Sequence, residues 1–305
     1  MTPKRITVLI NAASGSVSGK DDARREEMSA AFAKHGISAD LQFLPGDGLS
    51  AGAEAALGKA REGELDAIAV SGGDGTIRTV ADTLAGSGVP LGIIPGGTFN
   101  HFAKDLNIPL SIDAAVAVIA GGNSRAVDVG EANGKIFINN SSVGLYPYMV
   151  IDRERRRKRG LPKLLAMAGA FVRAIRNFPV RRLSISAEGW TERVRSPCVF
   201  VGNNEYRIAG RATGTRDRLD GGQLYLLVAK RQNRASLSVL AARAVLGILD
   251  QSRDLRAASL ASIEIGSRRR KLLVAFDGEV EAMQTPLHYR IRPKALRVFV
   301  PATPA

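Results

Sequence analysis

Cysteine is nearly missing from this chain: Cys198 is the single one in 305 residues. No internal disulfide can form, which excludes a disulfide-stapled scaffold and fits a reducing compartment. Cys198 opens the apolar run Cys198-Val199-Phe200-Val201 and reads as a buried thiol. Aromatic residues are scarce as well, at 5%. So few rings argue against a surface that stacks bases, and neither zinc-finger spacing nor an aromatic RNA-binding signature occurs. Long apolar runs are missing too. None approaches the ~18 residues of a membrane span. The run behind Met1-Thr2-Pro3-Lys4-Arg5 is Ile6–Ile10, too short for a secretory signal. A cytoplasmic protein is expected, with any membrane contact peripheral.

Acidic residues are the minority charge: 29 against 43 Lys and Arg, a net charge of +14. That surplus points to an anionic partner, whether nucleic acid, a membrane surface or a phosphorylated ligand. The scarcity of rings turns the choice away from nucleic acid. Glycine, by contrast, is plentiful at 32 residues. Its clusters lie between apolar runs, which favours a loop-rich α/β or β-rich architecture over a helical bundle. With 45% apolar residues the chain can bury a sizeable core, and its length allows two domains.

The first 125 residues alternate in texture. Arg5–Ile10, Ala39–Leu44, Asp66–Val70 and Leu91–Ile94 read as strands. Ala23–Lys34, Ser50–Arg61, Ile77–Leu84 and Ile112–Ala120 read as helices. Such alternation predicts a three-layer α/β domain with a parallel sheet covered on both faces. From residue 126 to 291 strand-like runs dominate: Ala126–Val129, Lys135–Asn139, Arg182–Ser186, Val194–Val201, Gln223–Val228, Ser262–Ile265 and Leu272–Phe276. Helical segments at Leu161–Phe178 and Leu237–Leu249 interrupt them. A β-rich sandwich is expected there, and the chain end, 292–305, is a candidate to return to the first domain.

Ligands on parallel sheets bind beyond the carboxyl ends of the strands, and two glycine turns fall at those ends. The first is Gly72-Gly73-Asp74-Gly75-Thr76. Glycine lets the backbone approach phosphate oxygens, and the following helix offers free N–H groups and a positive dipole end. Asp74 is itself negative, so it fits Mg²⁺, directly or through water, rather than phosphate. A plain strand–helix turn with Asp74 as helix cap is the competing reading. The second turn is Pro95-Gly96-Gly97-Thr98-Phe99-Asn100, in which Thr98 and Asn100 suit phosphate donation or helix capping, with Lys104 one turn on. The third element, Asn11-Ala12-Ala13-Ser14-Gly15, is weak alone. Gly15–Lys20 is one residue short of a P-loop, and Asp21 stands where Ser or Thr is needed.

Together these segments resemble the diacylglycerol kinase catalytic-domain family, which is akin to sphingosine and NAD kinases. The resemblance implies an ATP-dependent lipid kinase, with diacylglycerol the first acceptor to consider. Asn11, Ser14, Gly15, Gly72, Gly73, Gly75, Thr76, Gly96, Gly97, Thr98 and Asn100 would surround the nucleotide. Asp128, in Ala126–Gly130, matches a family acidic residue near nucleotide and metal, so Mg²⁺ falls to Asp74 and Asp128. Asp277-Gly278-Glu279 matches a late family motif and makes Glu279 the candidate general base; by sequence alone Asp277-Gly278 equally suits a hairpin turn. Gly202-Asn203-Asn204 resembles a turn of the same domain. Where family members with an accessory structural Mg²⁺ show Leu-Asp-Asp-Gly, this chain has Leu219-Asp220-Gly221-Gly222, and only Asp217 or Asp220 could compensate. An NAD kinase is the alternative within the fold, for which Asn204-Glu205 could serve the adenosine ribose. A non-catalytic anion or nucleic-acid binder exploiting the +14 charge is the alternative outside it.

One more feature bears on partners. Between Arg153 and Arg176 stand nine Lys or Arg and a single acid, Glu154, with Leu161, Leu164, Leu165, Ala168, Phe171, Val172 and Ile175 at helical spacing. A basic amphipathic stretch suits an anionic bilayer, where the lipid substrate resides; a helix face packed on its own sheet reads equally well. A second cluster, Arg268-Arg269-Arg270-Lys271, reads as a charged turn. A homodimer is compatible with everything above.

Overall fold

The structure is a computed structural model and describes residues 2–12, 18–158, 181–207, 214–229 and 255–302. Ser14, Gly15, the helical segments expected at Leu161–Phe178 and Leu237–Leu249, and the basic stretch beyond Lys158 lie outside the described residues. Two compact units emerge: Met1–Val129 with Pro293–Ala305, and Gly130–Arg292.

The first unit runs β1 (Arg5–Asn11), α1 (Ser18–Lys34), β2 (Ser38–Leu44), α2 (Leu49–Arg61), β3 (Ala67–Gly72), α3 (Asp74–Leu84), β4 (Leu91–Pro95), α4 (His101–Asp105) and α5 (Ile112–Ala120), then enters β5 (Ser124–Ala132). The second holds β6 (Lys135–Phe137), β7 (Asn140–Gly144), α6 (Leu145–Lys158), β8 (Arg181–Ala187), β9 (Trp190–Ser196), β10 (Cys198–Asn203), β11 (Leu224–Ala229), β12 (Leu255–Leu260), β13 (Ser262–Ser267), β14 (Lys271–Phe276) and β15 (Glu279–Gln284). The last strand, β16 (Leu287–Phe299), begins in the second unit and ends in the first.

In the first unit the sheet order is β2-β1-β3-β4-β16, every pairing parallel. A parallel sheet must be covered on both faces, and its strands are apolar on both: Ile6, Val8, Leu9 and Ile10 have no exposed surface, nor do Ala67 to Val70. Helices α1 and α5 pack on each other, and α2 packs on α3, giving the three layers. The stripe Ile77, Val80, Ala81 and Leu84 of α3 is buried at helical spacing. Each fully buried Val, Leu or Ile contributes about 1.5–3 kcal/mol, and Ile77→Ala would forfeit roughly 2–5 kcal/mol.

Helix α3 begins at Asp74, three residues before the helix expected from Ile77. The Gly-Asp-Gly-Thr segment is therefore the first helical turn, not a loop ahead of it. An acid next to the positive end of the helix dipole favours that earlier start.

The second unit is an antiparallel sandwich. One sheet joins the first half of β16 to β13, β8 and β9; the other has the order β12-β11-β10-β7-β14-β15. Their inner faces meet in a core that includes Phe137, Val143, Ile185, Val201, Leu226, Ile265, Val274, Phe276, Leu287 and Tyr289. The run Val194–Val201, which reads as one strand, is two strands in different sheets. Pro197 separates β9 from β10, and proline cannot donate to a ladder. In β16, buried Leu287, Tyr289 and Ile291 alternate with exposed His288 and Arg290, and the alternation breaks around Pro293 and Lys294. No helix among the described residues is long and apolar enough to cross a membrane.

Candidate active site

Strands β1, β3 and β4 end side by side in the first unit, at Asn11, Gly72 and Pro95. The two glycine turns that leave β3 and β4 are bonded to each other. Gly96 N–H donates to Gly72 C=O at 2.8 Å. Their backbones touch: a Cβ built on Gly97 would lie 2.5 Å from Gly73 Cα, and one on Gly73 would lie 3.2 Å from Gly97 Cα. These glycines are required by turn-on-turn packing, whatever else approaches them.

Asp74 spans the same two turns. Its Oδ1 accepts the N–H of Phe102 at 3.0 Å and its Oδ2 that of His101 at 3.2 Å, so the first residue of α3 holds the start of α4. Asn100 stands in the left-handed region, φ 50. Its side chain closes the second turn twice, accepting from Gly97 N–H and donating to Gly97 C=O, both at 2.9 Å. Asn100 thus builds the turn and makes no side-chain cap on α4. Thr98 is exposed at the tip of the turn and Lys104 is exposed on α4. Asn11 Nδ2 donates to Thr76 Oγ1 at 3.0 Å, tying the end of β1 to α3. Gly75 lies in that first helical turn, where amides lack intrahelical acceptors.

One cation at this edge escaped the sequence reading. Arg24 of α1 donates from Nη2 to the buried Ser71 Oγ at 2.8 Å, and the same nitrogen is the nearest atom to a Cβ built on Gly96, at 2.7 Å. Its guanidinium therefore sits against both glycine turns. The only available signal was helical phase: Arg24 is half-buried between exposed Ala23 and Arg25.

Asp128 stands elsewhere in the same unit. It has no exposed surface, and its Oδ1 accepts the N–H of Lys294 at 2.8 Å, where the backbone turns left-handed at φ 52. The geometry gives Asp128 the task of holding the returning strand. The metal role implied by resemblance stays a proposal beside it. Among the described residues no group of three or more His, Cys, Asp or Glu gathers to hold a metal. Asp74 is a half-buried carboxylate, a hard oxygen donor, at these strand ends. It therefore fits Mg²⁺ as the companion of a nucleotide, held mainly by phosphates and water.

In the second unit, Asp277 and Gly278 have φ 48 and 90 and close the β14–β15 hairpin as a two-residue turn. The Asp277 carboxylate accepts three backbone N–H groups, from Ile138 (2.9 Å), Asn139 (2.8 Å) and Asn140 (3.0 Å). Glu279 follows directly, exposed at the start of β15 opposite Phe276.

The accessory metal set does not fit. A Cβ on Gly221 would meet Asn204 Oδ1 at 2.7 Å, so the place of the missing carboxylate faces a buried amide oxygen. Asp217 is paired with Arg207 at 2.6 Å and Asp220 with Arg218 at 3.1 Å. One amide oxygen without a carboxylate beside it is too little for Mg²⁺. Asn204 itself is 2% exposed, which withdraws its side chain from the ribose-binding duty of an NAD kinase.

Residues 5–132 match the model of the diacylglycerol kinase catalytic domain, and residues 149–300 match that of the YegS C-terminal NAD kinase beta sandwich-like domain. Residues 5–132 belong to the diacylglycerol kinase catalytic-domain family. It is similar to a diacylglycerol kinase of Bacillus subtilis strain 168, 34% identical over 164 residues, which are 53% of this chain and 52% of that one. A diacylglycerol kinase of Staphylococcus aureus strain JH9 is 28% identical over 187 residues, 59% of this chain and 57% of that one. The uncharacterized protein sll0036 of Synechocystis is 28% identical over 246 residues, 79% of this chain and 56% of its own length. The chain thus spans about half the length of the curated relatives it matches. The crystal structure of a diacylglycerol kinase from Bacillus anthracis superposes with a TM-score of 0.68 at 21% identity, covering 99% of this chain and 98% of that one. At that identity the likeness speaks for the family's fold alone.

Proposed function

We propose that this chain transfers the γ-phosphoryl group of ATP to a hydroxyl group of a lipid, diacylglycerol being the first acceptor to test. The observation that carries the reading is the union of two glycine turns at neighbouring strand ends. Asp74 clasps them, Arg24 supplies a positive charge, and exposed Thr98 stands at the tip. Backbone N–H groups at Gly73–Thr76 and Gly96–Thr98 offer donors to a polyphosphate. Arg24 offers a guanidinium fork that suits phosphate oxygens. Mg²⁺ bound with the nucleotide would neutralise charge on the phosphates, with Asp74 facing it.

Glu279 is assigned the acceptor. Its carboxylate takes the lipid hydroxyl proton while that oxygen bonds to the γ-phosphorus; the bond to the β–γ bridging oxygen breaks and ADP leaves. Kinases of this type act mostly through positioning and charge stabilisation, so rigid turns are what the chemistry needs. The net charge of +14 supports work at an anionic lipid surface.

The test is labelled ATP with a panel of detergent-dispersed lipids, with NAD in a parallel reaction, for the protein and for Glu279→Gln. Labelled phospholipid that drops about 10²–10⁴-fold in the variant supports the reading. NADP formation, or a label that reaches no lipid, ends it.

A further inference from the structure

Arg216 is a buried arginine that the proposed chemistry does not use; it is 5% exposed. Its Nη1 donates to the C=O of Ile138 at 2.7 Å and of Asn203 at 3.0 Å, and its Nη2 donates to Asn139 Oδ1 at 2.6 Å. The guanidinium also lies 5.2 Å from the Tyr206 ring centroid. Burying a charge is costly unless it is hydrogen-bonded, so a site this specific needs an explanation.

The explanation lies in which peptide groups the arginine holds. Ile138 C=O and Asn139 N–H belong to one peptide unit. The oxygen faces Arg216, and the N–H donates to Asp277 Oδ1 at 2.8 Å. The next unit is held the same way. Asn139 C=O accepts Asn203 N–H at 2.8 Å, and Asn140 N–H donates to Asp277 Oδ1 at 3.0 Å. Asn203 Nδ2 adds a second donor to Ile138 C=O at 3.0 Å. A cation on one side of a peptide plane and a carboxylate on the other polarise the bond between them, so each contact strengthens its neighbour. Asp277 N–H returns to Asn140 C=O at 3.0 Å, which locks the hairpin whose next residue is Glu279.

We propose that Arg216 is a positioning residue for Glu279, acting through the peptides of residues 138–140 and the carboxylate of Asp277. The inference rests on the general-base role proposed for Glu279. Lysine cannot replace the guanidinium, because one ammonium does not present a planar fork to two carbonyls and an amide oxygen at once.

The experiment is a double-mutant cycle on the full chain with Arg216→Lys and Glu279→Gln, reading kcat, the KM for ATP and for lipid, and thermal stability. Asn139→Ala, which removes the Nη2 acceptor, serves as a second probe should Arg216→Lys fail to fold. Expected is a fall in kcat of about 10-fold in Arg216→Lys at unchanged KM for ATP, while the double variant falls no further than Glu279→Gln alone. A kcat loss that multiplies with that of Glu279→Gln, or no loss in Arg216→Lys and Asn139→Ala alike, overturns the positioning role and leaves the base in place. Full activity in Glu279→Gln alone overturns the base assignment and this proposal with it.

Discussion

Gly97 rests against Gly73 so closely that a methyl group added to Gly97 would stand 2.5 Å from Gly73 Cα. That contact is between backbones, which cannot swing aside as a side chain can. Two loops that a reader of the sequence takes as separate phosphate turns are thus one packed unit, and its geometry is fixed before any ligand arrives.

Gly97→Ala is accordingly expected to lower stability by about 1–3 kcal/mol and to weaken nucleotide binding. Gly58, inside α2, has nothing within 4 Å of its built Cβ, so Gly58→Ala is expected to raise stability by about 0.5–1 kcal/mol. Urea unfolding of both variants checks the pair. Equal effects of one sign would contradict the packing argument.

Asp74→Asn retains one acceptor for the amides of His101 and Phe102 but loses the charge. Expected is a well-folded protein whose phosphoryl transfer falls about 10²–10³-fold, the scale seen when one electrostatic contact to a transition state is removed. Circular dichroism beside a rate measurement separates loss of fold from loss of chemistry. A rate that stays within a few-fold of the starting protein would strip Asp74 of its proposed part.

Asp66 accepts the N–H groups of Lys4 and Arg5 at 2.7 and 2.9 Å. These bonds, Lys4 first, hold its carboxyl below the usual carboxylate range, with the Arg5 charge adding to them. A depressed folded value stabilises the protein above the unfolded pKa near 4 and is lost as pH falls through the folded value. Asp66→Asn should cost about 1 kcal/mol at pH 7, and the gap to the parent protein should close toward pH 2. Denaturant melts at the two pH values give the answer.

Cys198 is half-buried rather than the fully buried thiol expected from its apolar run, yet desolvation still pushes its thiol up to about 12, against the opposing pull of the Tyr146 and Leu145 amides. The reactive species is the thiolate, so the native protein should resist iodoacetamide at pH 8 and react once unfolded. A raised folded value also means that this group's contribution is full below pH 9 and is lost as the pH climbs toward the folded value. Mass spectrometry of alkylated native and urea-treated protein decides the matter.

The fold class was legible because the evidence for it is periodic. Apolar runs such as Ile6–Ile10 and Ala67–Val70 are buried on both faces, and the α5 span Ile112–Ala120 coincides with the helix found. What misled was local. Pro197 splits a continuous apolar run between two sheets, and Asp74 draws the start of α3 into the glycine motif. For the site, residue types pointed to the strand ends, but their partners could not be read. Asp74 with Phe102, Asp128 with Lys294 and Arg24 with Ser71 are joined across 28, 166 and 47 residues. Contacts at such separations leave no periodic trace in a single sequence. Arg216 was invisible for the same reason, since it is one of two arginines in Thr215–Leu219 and looks like any solvated cation.

Strand β16 carries a consequence for how this molecule is made. Its second half completes the parallel sheet beside β4, pairing Val298 with Leu91, yet more than 160 residues of the second unit are translated in between. A ribosome emitting the chain in order must therefore leave the first unit with an open edge until Val298 has cleared the exit tunnel. Any stop codon that removes β16 deprives the older half of its closing strand.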